Sequence, residues 1–104
     1  MKALIFIAGL FMGFNVNAQK FDLVQINADW NKNNSLEFTQ VAGIPVKYAR
    51  LEDQPTAITS SIKSVPVLIL YVNGRVAHTW TAGIDLKCNA TPAEVEYIIN
   101  KFRN

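Results

Sequence analysis

The sequence predicts an α/β domain in which helices pack on both faces of a four-stranded mixed sheet. The predicted element order is a βαβ unit leading into an αββα unit. Three observations predict it. Residues 67–72 are an unbroken Val-Leu-Ile-Leu-Tyr-Val run followed by Asn73-Gly74, which reads as a strand buried on both faces and then a tight hairpin turn. Residues 21–26 and 46–51 are shorter apolar-rich segments, separated by a stretch with helical apolar spacing. Residues 92–102 carry the clearest amphipathic helix in the chain.

The chain opens with a leader. Lys2 precedes residues 3–14, which contain no charge, and Val16-Asn17-Ala18 resembles a cleavage site with small residues before the cut. That order of basic, apolar and small-residue regions predicts a signal peptide over residues 1–18. The domain is then residues 19–104, secreted or periplasmic, with no stable membrane anchor after cleavage. The formal charge of +2 belongs to the whole chain, and loss of Lys2 brings it to about +1. No basic run or aromatic-basic interleaving argues for nucleic acid.

Strand one occupies residues 21–26. A polar stretch, residues 27–35, follows at its carboxyl end. Phe38, Val41 and Ala42 fit the i, i+3, i+4 spacing, so a helix is expected through residues 36–42, with Gly43 as its C-cap and Pro45 beyond it. Residues 46–51 form the second strand, parallel to the first. After the turn at residues 52–55, Ile58 and Ile62 mark the inner face of a short helix over residues 56–62. Pro66 opens the hairpin, where its missing N–H removes no ladder bond. The return strand, residues 75–81, is expected to place Val76, His78 and Trp80 on one face and Ala77, Thr79 and Thr81 on the other. Gly83 breaks the chain before an irregular lead-in, residues 84–90. Thr91 is the expected N-cap of the last helix, with Pro92 at its first position and Glu94 completing a capping box. Asn89-Ala90-Thr91 also fits a glycosylation pattern, although Thr91 is better explained as the cap.

Two segments resemble the thioredoxin family. Ala28-Asp29-Trp30-Asn31-Lys32-Asn33-Asn34 is similar to the family's Ala-x-Trp-Cys-x-x-Cys segment at the end of a strand. Val65-Pro66, with the strand and Asn73-Gly74 after it, resembles the family's cis-proline strand and hairpin. The resemblance covers about residues 20–103 and implies a compact thioredoxin-like fold with a cis Val65–Pro66 bond. The departures bear on activity. Asn31 and Asn34 stand at the two cysteine positions, and an amide supplies neither a thiolate nucleophile nor a resolving thiol. The family's buried acid falls at Gln25, which cannot ionise. No catalytic residue and no cofactor is expected.

What the resemblance leaves is a binding surface for a protein or extended peptide, with Trp30, Asn31, Lys32, Val65 and Pro66 as its residues. Val65 would pair with the peptide through its backbone. Trp30 either flanks that groove or packs under the loop. Free N–H groups at a helix start near Asn31, with Lys32, would suit an anionic group. A chaperone-like binding module is therefore the first expectation.

Cys88 is the single cysteine and forms no disulfide within the chain. It is either a structural thiol or, with Lys87 lowering its pKa, a reactive one acting by mixed disulfide or dimerisation. A structural accessory role in a larger assembly is a third reading. His78 has no second ligand at metal spacing, and the scattered acids form no acid–base pair, so no metal site is expected.

Overall fold

The computed structural model describes residues 19–103. The predicted leader, residues 1–18, lies outside them. The fold is α/β, built on a mixed sheet of five strands rather than four. These are β1 (Phe21–Asn27), β2 (Gln40–Val41), β3 (Ile44–Arg50), β4 (Val67–Val72) and β5 (Arg75–Trp80), in the spatial order β2-β3-β1-β4-β5. β3 runs parallel to β1, and β4 and β5 form the expected antiparallel hairpin beside it. The helices are α1 (Thr56–Thr59) and α2 (Pro92–Phe102), with short 3-10 turns at Asp29–Asn34 and Leu51–Asp53.

The extra strand replaces the helix expected over residues 36–42. Seven residues are too few for a stable isolated helix, and Thr39 and Val41 are β-branched. Instead Ala42 and Gly43 both take positive φ, 52° and 81°, which closes a two-residue hairpin turn between β2 and β3. Gly43 is thus a turn residue and not a helix cap. The hairpin buries Val41 and lets Leu36, Phe38, Ile44 and Val46 close on the same apolar cluster. Pro45 sits in β3 opposite Gln40.

Alternation along β1 and β4 sends side chains to two faces. Val24, Ile26, Ala49, Val67 and Tyr71 form the core of one face, with Leu51, Ile58 and Ile62 against it. Leu23, Leu68, Leu70 and Trp80 form the other, closed by Val95 and Ile99 of α2. Those last two side chains are fully buried, each contributing about 1.5–3 kcal/mol. Thr91 caps α2 as the sequence predicts, its Oγ1 accepting the Glu94 N–H at 3.2 Å.

β5 departs from its expected alternation. Its register shifts against β4 at Leu70/Tyr71, so Val76 lies opposite Tyr71 and His78 opposite Leu70, with Ala77 as the extra residue. This bulge puts Val76 on the Tyr71 face, away from His78 and Trp80.

Candidate functional site

The carboxyl end of β1 is where the sequence-predicted residues meet. Asn27, the last residue of β1, is completely buried. Its amide group donates to the Asn31 carbonyl at 3.0 Å and to Ser35 Oγ at 2.9 Å, and its Oδ1 accepts the Ala28 N–H at 2.9 Å. These bonds curl residues 29–34 into a 3-10 turn. No α-helix starts there. Within the turn the Asn31 N–H donates to the Ala28 carbonyl at 3.0 Å, and at its entrance Asn27 Oδ1 accepts the Ala28 N–H and Glu52 Oε2 the Asp29 N–H, each at 2.9 Å.

Asn31 is buried and forms a node rather than a vacant nucleophile position. Its Nδ2 donates to Asn27 Oδ1 at 3.2 Å, Val65 O at 3.1 Å and Leu86 O at 3.1 Å. Two hydrogens shared among three acceptors require one bifurcated bond. Its Oδ1 accepts from Asn34 Nδ2 at 2.8 Å. One carboxamide thus ties the 3-10 turn to the end of β1, to the segment before β4 and to the loop before α2.

The Val65–Pro66 peptide bond is cis. Both side chains are buried, and the Val65 carbonyl already accepts from Asn31. A peptide N–H pairing there would have to use the second lone pair of that oxygen. Of the five expected binding residues, only Trp30 and Lys32 lie at the surface; Asn31, Val65 and Pro66 support them from inside. Trp30 is 68% exposed, which excludes packing under the loop. It borders a depression of about 330 Å³ with Asp29, Lys32 and Asn33.

Asp29 and Arg50 fix the outer side of this turn. Arg50 Nε donates to Asp29 Oδ1 at 3.0 Å, its Nη2 reaches Oδ2 of the same carboxylate, and its Nη1 donates to Asp53 at 3.1 Å. The hydrogen bond from Arg50 holds the Asp29 carboxyl below its ordinary value. Gln25 is buried, and its Oε1 accepts the Leu36 N–H at 2.8 Å. It anchors the chain as it leaves the turn.

Cys88 is half-buried, and its thiol donates to the Trp80 carbonyl at 3.6 Å. Burial pushes its pKa up, a backbone hydrogen bond at Ala90 opposes this, and Glu94 adds to it. The lowering expected from Lys87 is not what governs this thiol. The His78 and Trp80 ring centroids lie 4.4 Å apart, with the rings tilted by 54°. Among the described residues no three His, Cys, Asp or Glu side chains are placed to hold a metal.

Asn27, Glu52, Arg50 and Leu86 were not singled out from the sequence. The Asn27/Asn31 spacing within an Asn-rich stretch is a signal for a side-chain-stabilised turn. Leu86 carries no signal, because it participates through its carbonyl and a positive φ of 61°. No protein-family model matches the chain, and no curated protein matches it.

Proposed function

We propose that this chain is an exported, thioredoxin-like domain without redox chemistry, which binds a protein or extended peptide through the surface around Trp30. The carrying observation is the placement of Trp30: a large aromatic ring, 68% exposed, on a turn whose backbone is locked by the buried Asn27–Asn31 pair. An exposed indole offers broad apolar contact and one N–H donor. A locked turn loses little entropy when a ligand closes on it. Lys32 and Asn33 add polar partners at the rim of the same depression.

The thioredoxin-like reading is supported by the parallel β1/β3 pair, the β4/β5 hairpin, the last helix and the adjacency of the 29–34 turn to cis Val65–Pro66. The β2 hairpin in place of a helix is its main departure. The absence of redox chemistry follows from the amides at positions 31 and 34. Export rests on the leader over residues 1–18.

The two tryptophans differ in burial, 68% exposed at Trp30 and 7% at Trp80, so fluorescence distinguishes them. Titration with a library of extended peptides should shift and quench the Trp30 emission, and a Trp80→Phe variant should keep that response. Trp30→Ala should lose binding while retaining its melting temperature. A ligand bound equally well by Trp30→Ala, or turnover of a disulfide substrate at an enzymatic rate, would overturn the proposal.

A further inference from the structure

We infer a second peptide-binding surface, separate from Trp30: the outer edge of β5, suited to a short extended peptide with acidic residues at both ends. β5 ends the sheet order, and among the described residues nothing pairs with its outer side. Ladder hydrogen bonds alternate along an antiparallel pair, and a two-residue turn closes on a hydrogen-bonded pair. Val72 and Arg75 are that pair, so Val76, opposite Tyr71, directs its N–H and C=O outward. The bulge at Ala77 restarts the alternation, and Thr79, opposite Ile69, directs its own backbone groups outward as well.

The side chains of those two residues face a groove. It has a volume of about 490 Å³, and Ile62, Val67 and Ile69 line it beside Val76 and Thr79. Val76 is 61% exposed. Unpaired strand donors and acceptors next to an apolar trough are what strand addition requires: the backbone gives affinity, and alternate side chains of the ligand fill the trough.

Charge selects the occupant. Lys63 lines the groove, beside the segment that opens β4, and Arg75 lies at the hairpin end of the edge. Neither makes an ion pair among the described residues, and no acidic side chain lines the groove. A second copy would bring these cations together, whereas acids at the two ends of a peptide would meet them. The six residues of β5 correspond to a partner strand of about 20 Å, and the bulge discourages longer pairing.

The test is an NMR titration of the full protein with three probes. These are the capped hexapeptide Asp-Val-Thr-Val-Thr-Asp, its analogue with lysine at both ends, and the acidic peptide N-methylated at alternate residues. The acidic peptide should shift the Val76 and Thr79 amides and slow their hydrogen exchange. N-methylation should weaken binding roughly tenfold by removing backbone donors. Lys63→Glu, at an exposed side chain, should weaken it roughly fivefold and favour the lysine analogue. Trp30→Ala should leave these effects unchanged, so this surface and the Trp30 surface stand or fall independently. Equal binding of the acidic and basic peptides overturns the inference, as do shifts confined to other regions. A concentration-dependent doubling of mass without peptide would assign the edge to a second copy and overturn it too.

Discussion

Asn31 shows how one buried carboxamide can organise a turn and the two segments beside it. A carboxamide both donates and accepts, so it bridges carbonyls that a thiol would leave without strong donors. Asn31→Ala removes the donor from Asn27 Oδ1, Val65 O and Leu86 O together. Buried groups left unpaired cost about 1–3 kcal/mol each, part of it recovered by water, and we expect a loss of about 2–4 kcal/mol in chemical denaturation. Asn31→Asp should lose more at neutral pH, because a carboxylate would face three carbonyl oxygens, and should recover as acid protonates it.

Asp29 titrates in the opposite sense. Its folded pKa is depressed from an ordinary value of 3.8 by the Arg50 hydrogen bond. Its small stabilisation is present above that ordinary value and is lost as pH falls through the folded one. In Arg50→Ala, NMR should show the Asp29 titration midpoint moving upward. The Cys88 thiol is raised from 9.0 by burial, so alkylation at neutral pH should be slower than for a free thiol. A rate equal to or above that of free cysteine would restore the reactive-thiol reading.

Among the elements, the β2–β3 hairpin is the one whose identity depends on its turn. Ala42 at φ 52° has a Cβ where glycine or asparagine is at ease. Ala42→Gly should therefore stabilise the protein by about 0.5–1 kcal/mol, read as a rise in melting temperature. Gly43→Ala should destabilise it by about 1 kcal/mol, although nothing crowds the added Cβ, because φ stays at 81°. If the segment were helical, Ala42→Gly would act with the opposite sign, whereas Gly43 as a C-cap would disfavour alanine in either case. At the other end of the chain, Thr91→Ala should cost about 1 kcal/mol by removing the α2 cap.

For the whole molecule, the expected outcome of export is a mature chain beginning at Gln19, read by mass spectrometry of the secreted or periplasmic fraction. A full-length mass there would remove the leader from the proposal. The strands β1, β3, β4 and β5, the Asn73-Gly74 turn and α2 were legible in the sequence, because each is fixed by local pattern: apolar runs, a turn dipeptide, a cap followed by a helical stripe. The region around the site was legible as a location, since Trp30, Asn31 and Val65-Pro66 converge there. Its internal wiring was not, because Leu86 and Val65 take part through backbone carbonyls that no residue type announces. Two errors share one cause. Phe38, Val41 and Ala42 fit a helix and also fit a hairpin, and the choice went to the arrangement that lets Leu36, Phe38, Val41 and Ile44 close on one cluster. The bulge at Ala77 similarly moved Val76 to the other face. The sequence by itself determined the order and type of the strongly patterned elements and, with a single cysteine, the lack of a thiol pair within the chain. Only the tertiary structure decided the fifth strand, the register of β5 and the role of Asn31, because each depends on partners distant in sequence whose burial outweighs local preference.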